Sequence, residues 1–556
     1  MPPEKRSRIR WGLWIFLIIV LASAGFIIWK YNYLTTTAIQ QQIGNILEKA
    51  GIPEHSITYD RLIIQPFNKK IILEKVLINS GEDLKNVLRS SDDDHSFKML
   101  GKINRIELGK WNLRKSIKYN SIRVGNIDLI SPELTIVTGS VEKSKKSKKS
   151  RASSLGKIAS IELGKLEIIN GKVYYYDKSK GFDCLAGIDS LNCYIRNIVA
   201  DTSWFNTINP VRWEQVNLSS SHILSNLSKN YTLETGHVVI NTNNEYVFIE
   251  NIGLRPSHFT EFTESGLPLS GGFNINNDEL LMTGFDIHGL YNKRQIIAKN
   301  IEVNGLKTVF LNYSVEEQRK SDSLFITERL NEYPSNILVE ALQINKADIL
   351  FMEQPVRNSP PGILSISDLQ ISLTNLTNVK REIRRSPDMK MELSGLLMKE
   401  GLLHIQTTIP IEDTTDRCII SANLGFMQAE SFNSLSENLG LVRFTSGTID
   451  SMYINLTADK DSIKGDLNFI YHDLKVDMLR EMNEDYRLRK RRPVFSFLAN
   501  NIIKSQNDPE KRNYRSPVIR DKRSQGNTYI EDLSNSIKSA VIQSLAPSID
   551  EEDSEE

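Results

Sequence analysis

"IELGKLEIINGKVYYYD", residues 161–177, decides how the rest of this chain is read. Isoleucine and leucine recur at short intervals, lysine and glutamate fill the gaps, and three tyrosines close the run. Alternation of this kind marks a pleated strand with one face toward a core. Asn170-Gly171 reads as a turn between two short strands. The alternation is imperfect: Ile161, Leu163 and Lys165 share one phase, whereas Leu166 and Ile168 share the other. The apolar phase therefore changes near Gly164, which predicts a bend, bulge or turn there. Three consecutive tyrosines, Tyr174 to Tyr176, cannot all face one side of a regular strand.

The pattern recurs. A weaker echo, "IELGKWNL", stands at 106–113, and similar material fills "IIAKNIEVNGLKTVFLNY" (296–313), "NILVEALQINKADILFME" (336–353) and "ILSISDLQISLTNLTNV" (363–379). Each joins alternating runs through a small or polar break. The spacing has no fixed period, which excludes leucine-rich and tetratricopeptide arrays. The units read as hairpins or neighbouring strands of one extended sheet. Further strands are expected at 56–67, 69–80, 101–137, across 204–295, including "LMTGFDIHGLYNK", and at 389–424 and 447–478. The stretches "GEDLKNVLRSSDDDHS" and "KREIRRSPDMK" read as polar interruptions, and 314–335 as polar with a short helix.

The chain has 556 residues, 40% hydrophobic and 25% charged, with a formal net charge of +1. That balance gives nucleic-acid binding no electrostatic support. Three cysteines, Cys184, Cys193 and Cys418, make no disulfide framework. Separate buried thiols are favoured over a Cys184–Cys193 bridge.

The beginning of the chain has a different character. "KRSRIR" precedes "WGLWIFLIIVLASAGFIIW", residues 11–29, which carry no charge. A helix of that length roughly crosses a hydrocarbon core. Trp11, Trp14, Trp29, Tyr31 and Tyr33 fit interfacial anchoring. The basic flank, 1–10, predicts a cytoplasmic N-terminus with the body on the far side. "ASA" at 22–24 allows a cleaved signal as the rival reading, but apolar residues continue to Trp29, and a retained anchor is favoured. A linker helix follows over 34–50, with Ile39, Ile43, Ile46 and Leu47 on one face. The body then divides into an N-terminal β region at 51–142, a basic flexible loop at 143–154, a central β region at 155–388, a C-terminal β region at 389–485 and a helical, polar tail at 486–556.

The basic loop, within "VEKSKKSKKSRASS", has no apolar face and reads as a solvated insertion; contact with anionic lipid headgroups is the alternative. In the tail, one helix is expected with Phe495, Leu498, Ile502 and Ile503 apposed. A last helix carries Ile530, Leu533, Ile537, Val541 and Leu545 on one face. Docking of that face on the protein's own hydrophobic edge is favoured over membrane contact.

Catalytic signatures are missing. The chain has no G-x-x-x-x-G-K-[ST], HExxH or G-x-S-x-G. "SDDDH", 91–95, lacks calcium-loop spacing and reads as a surface loop. In "YHDLKV", 471–476, His472 and Asp473 point to opposite faces of a strand while Tyr471 and Asp473 share one, so no dyad is formed. The sequence assigns no catalytic, cofactor-binding or metal-ligating residue, and the chain reads as a non-enzyme.

Three features together resemble the AsmA-like proteins of bacterial envelopes, including their Bacteroidota-type relatives with a domain of formerly unknown function. These are the basic flank, anchor and short helix of 5–50, the strand units typified by 161–176, and the C-terminal progression "ANLGFMQAESFNSLSENLGLVRFTSGTIDSMYINLTADKDSIKGDLNFIYHDLKVDML", 422–479. The resemblance implies a mainly β fold: an elongated, curved and twisted sheet forming a groove, with an N-terminal transmembrane helix and short terminal helices. It implies a protein of the bacterial inner membrane, single-pass, with its body in the periplasm. Its expected partners are phospholipid or another envelope lipid, and an outer-membrane or periplasmic protein. Its expected role is binding or transferring lipid between membranes in support of outer-membrane integrity. The alternative is a non-enzymatic structural or interaction factor regulating outer-membrane protein assembly.

Overall fold

The computed structural model describes residues 57–65, 70–79, 84–89, 98–110, 121–138, 160–177, 184–201, 209, 211–228, 230–256, 272–313, 326–354, 359–413, 415–482, 485–524 and 528–546. The expected membrane span 11–29, the linker helix 34–50, "SDDDH" and the basic loop lie outside these residues. Among the described residues no helix is long and apolar enough to cross a membrane. The fold is mainly β, in one large mixed sheet. The chain divides into two compact units, Met1–Asn251 and Ile252–Glu556.

In the first unit, residues 161–177 are one strand, Ser160–Asp177, without a turn. It runs parallel to Ser121–Thr138 and antiparallel to Cys184–Asp201. Asn170 takes a left-handed conformation, φ 52°, inside the strand. Its N–H donates to Asn192 Oδ1 at 2.9 Å. The pairs Ile130–Ile169 and Glu133–Lys172 stay in step on either side, so the chain bulges and continues where a turn was expected. The phase change at Gly164 is present: Leu163 and Leu166, three residues apart, are both buried. A side chain at Gly164 would meet the Gly125 carbonyl oxygen at 2.5 Å.

These breaks line up across strands. Lys75 (φ 49°), Ser131 (φ 48°), Asn170 and Ser190 (φ 51°) lie at one level in four strands. Gly125, Gly164 and Asn197 (φ 52°) form a second line. Because neighbouring strands change phase together, apolar rows run straight across the sheet. One row joins Ile71, Leu108, Ile127, Leu166 and Ile195, and the next joins Leu73, Ile106, Leu129, Ile168 and Cys193. All but the half-buried Ile195 are at most 8% exposed, and together they form this unit's core. Left-handed backbone is costly for branched residues, about 1–2 kcal/mol. Asn170→Val is therefore expected to lower stability by about that amount while Asn170→Gly changes it little, as read by urea denaturation.

The second unit uses the same device. Residues 296–313 form two segments, Ile296–Asn304 and Lys307–Tyr313, but no hairpin. Both run parallel to the one strand Ile337–Gln354, so Gly305 (φ 71°) kinks a single line of chain. Gly305 N–H donates to Asn345 O at 3.0 Å, and Asp348 N–H donates to Leu306 O at 2.8 Å. Lys346 (φ 55°) and Asp368 (φ 49°) continue the kink into Ile337–Gln354 and Gly362–Thr377. Antiparallel strands follow at Asp388–Leu397, Gly401–Pro410, Cys418–Leu424, Val442–Ala458 and Ser462–Met482.

Three stretches are helices where interruptions or strands were expected: Leu84–Arg89, Ile287–Lys293 and Lys380–Arg385. Asp286 caps the second by accepting from Gly289 N–H at 2.7 Å, a local bond that outcompetes strand extension. The helix expected within 314–335 is Ile326–Glu332.

The last helix, Tyr529–Leu545, starts at a capping box of Thr528 and Glu531. Leu533, Ile537, Val541 and Leu545 pack on the unit's core, whereas Ile530 is 76% exposed. The deepest line is instead Asp532, Ser536, Ala540 and Ser544, whose mostly short side chains let the helix approach closely. Fully buried Tyr471 donates from its hydroxyl to Ser544 O at 3.3 Å. In the preceding helix, Pro493–Ile502, Ile502 is 54% exposed, and Ile503 beyond it packs inward. All three cysteines are free thiols, with Cys193 and Cys418 buried.

Candidate functional site

No compact constellation dominates the described residues; an extended face does. In the second unit the strand pairings set Leu280, Val303, Ile344, Ile371, Leu393, Ile405, Ala422, Ile454 and Leu467 side by side. One residue along each strand, the order is Leu281, Glu302, Gln343, Ser372, Glu392, Gln406, Ser421, Asn455 and Asp466. Period-two alternation places these two rows on opposite faces. One face is thus uninterrupted aliphatic, and the other is polar after its first member. At about 4.8 Å per strand the aliphatic row extends roughly 38 Å.

Burial along that row is uneven. Ile454 and Leu467 are 4% and 0% exposed, beneath the core that receives the last helix. The seven residues from Leu280 to Ala422 are only half-buried. In the first unit the corresponding rows are sealed apart from the half-buried Ile195. The second unit leaves its apolar face partly open to solvent over seven.

The kink at Gly305, Lys346 and Asp368 carries this face onward. Ala347 and Leu369, 0% and 1% exposed, pair at the kink. Beyond them come Ile275, Thr308, Ile349 and Ile366, then Phe273, Phe310, Phe351 and Leu364. Phe310 and Phe351 stack with centroids 5.3 Å apart and remain 36% and 42% exposed. At its other end the face abuts a small core in which Leu330 and Ile383, from two short helices, pack with Leu373, Leu376 and Ile420.

Two histidine clusters lie elsewhere. His472 Nδ1 meets Asp450, which also accepts from Thr448 Oγ1 at 2.9 Å, and His472 Nε2 stands 3.7 Å from Asp508. Asp473 takes no part. Its backbone is left-handed, φ 53°, so Tyr471 and Leu474 bury together and Asp473 faces solvent, contrary to regular alternation. The histidine found its carboxylates on other segments, where linear spacing carries no signal. In the first unit, Tyr174 Oη donates to Asp189 at 2.5 Å, and His222 bridges Asp189 and Glu234 at 3.4 and 3.1 Å. The Asp189 bond and burial push the Tyr174 hydroxyl up to about 12. Tyr175 hydrogen-bonds Thr138 at 3.0 Å, while Tyr176 packs with Val87, Leu100 and Val137. Among the described residues no three His, Cys, Asp or Glu side chains converge on a metal-sized point.

The hydrogen bond that the His472 ring donates to Asp450 raises the His472 pKa above its ordinary value, helped by Asp508. A raised folded value means the cluster stabilises fully below the ordinary histidine range, and loses that contribution as pH rises through the raised value. Thermal scans from pH 5 to 8 are expected to show this decline in the native chain and its flattening in His472→Gln.

Comparison with known proteins assigns no family: no protein-family model matches the chain, and no curated protein sequence does.

Proposed function

We propose that this chain is a non-enzymatic lipid-handling protein of the bacterial envelope, of the AsmA-like kind. It is anchored in the inner membrane by residues 11–29, with its body in the periplasm, and binds or transfers phospholipid in support of outer-membrane integrity. In this reading the sheet of the second unit is elongated and curved and serves as the groove. The observation that carries the reading is the half-buried aliphatic row backed by a polar one. Folding normally seals such a row, as in the first unit, and a partly wet row of aliphatics favours an apolar occupant. An acyl chain laid over this face gains about 0.8 kcal/mol for each CH₂ removed from water. The seven open strands make this face roughly 29 Å wide at about 4.8 Å per strand, room for acyl chains side by side. Sliding along such a face needs no nucleophile and no acid–base pair.

The test is crosslinking in a bacterial envelope. A photoreactive residue at Ile344 or Ile371 should capture phospholipid in the full chain, and one at Gln343 or Ser372 should not. Equal capture on both faces, or none on the aliphatic face together with lipid-free protein by native mass spectrometry, would sink the reading.

A further inference from the structure

The aliphatic face has two unlike ends, and the difference concerns the headgroup. At one end lies the helix Lys380–Arg385, "KREIRR". Its Ile383, 3% exposed, packs with Leu373 and Leu376, which come from the same strand as Ile371 of the aliphatic row. Its Lys380, Arg381, Arg384 and Arg385 are exposed. Glu382 is the helix's sole acid and takes Arg385 at 3.0 Å and Arg381 at 3.9 Å. Lys380 and Arg384 meet no carboxylate among the described residues. Two more cations, Lys293 and Arg294, close the helix Ile287–Lys293 nearby. Ser335 Oγ donates to Lys293 O at 2.9 Å, and Asn378, just before the basic helix, donates to Ser335 O at 2.9 Å. At the far end stand the exposed, stacked Phe310 and Phe351.

We infer that the bound lipid is anionic and lies in one direction, with its phosphate headgroup at Lys380–Arg385 and its acyl chains running toward Phe310 and Phe351. This rests on the lipid reading above and adds a substrate class and an orientation. Guanidinium groups pair with phosphate through two parallel N–H donors, and a surplus of cations beside an apolar path matches an amphiphile with a negative head. From Leu373 to Leu364 the strand covers roughly 30 Å at about 3.3 Å per residue, ample for a chain that fills one leaflet.

The test loads the full chain from vesicles of equimolar phosphatidylglycerol and phosphatidylcholine and measures the ratio of extracted lipids by mass spectrometry. The native chain should be enriched in phosphatidylglycerol at least about fivefold. The combined Lys380→Gln, Arg381→Gln, Arg384→Gln and Arg385→Gln variant should fall to near parity while total lipid stays within about twofold. A control with Lys464→Gln, Lys475→Gln, Arg480→Gln and Lys538→Gln removes as many exposed cations elsewhere and should keep the enrichment. An unaltered ratio in the first variant, parity in the native chain, or an equal fall in the control would overturn the orientation while leaving lipid binding intact. Absence of both lipids from every protein would overturn the lipid reading itself.

Discussion

Ile344→Glu is expected to reduce bound lipid at least tenfold without unfolding the protein. Ile344 sits inside the open part of the aliphatic row, flanked by Val303 and Ile371 on neighbouring strands. A carboxylate there has no partner along the row, and an acyl chain laid over it would strip its water, which costs several kcal/mol. In the empty protein the same carboxylate reaches solvent, because the site is only half-buried, so the sheet tolerates it. Gln343→Glu places the same charge one residue away on the exposed polar face and should leave lipid unchanged. Lipid content by mass spectrometry and circular dichroism together separate loss of binding from loss of fold. A decrease of similar size in both variants would remove the face-specific role.

Asp532→Ala should loosen the last helix more than any substitution on its outer face. Arg523 Nε lies 3.0 Å from Asp532 Oδ2, and their side chains are 8% and 6% exposed. The Arg523 guanidinium also lies over the Tyr529 ring, 5.5 Å from its centre. Removing the carboxylate leaves a buried cation beside an aromatic ring, a loss of about 3–5 kcal/mol. Amide protection along Tyr529–Leu545 in hydrogen exchange should drop by roughly two to four orders of magnitude. Joint replacement, Arg523→Met with Asp532→Leu, should recover most of that protection, since a buried pair is often matched by apolar residues of similar volume. Ile530→Ala, on the 76% exposed position, should change little.

Much of this was legible in the residues. Alternation located many of the strands between 56 and 478 and the phase change at Gly164, though not the strand Cys184–Asp201, and the 3.6-residue period located the last helix, because period is a local property that survives folding. Asn170-Gly171 and Gly305 misled for a definite reason. The residues that allow a hairpin also allow a bulge, and only the partner strand distinguishes them. The helix Ile287–Lys293 was hidden inside an apolar run, its signal confined to one cap at Asp286. The tail helix buries Asp532, Ser536, Ala540 and Ser544, a line that hydrophobicity alone assigns to solvent. The aliphatic row was legible one strand at a time, but its continuity depends on pair registers, and a slip of one residue would turn it to the other face.

The aligned left-handed residues have a consequence for how such a chain can vary. Lys346 in Ile337–Gln354 and Asp368 in Gly362–Thr377 lie along one line, much as lattice planes meet at a grain boundary. Each half-strand keeps its facing only while its neighbours carry the same offset. Deleting Lys346 alone would turn Ile349 and Phe351 away from Ile366 and Leu364, whereas matched changes in adjacent strands would move the boundary without dissolving it. The fold therefore tolerates length changes in these strands only in concert, and substitutions one at a time.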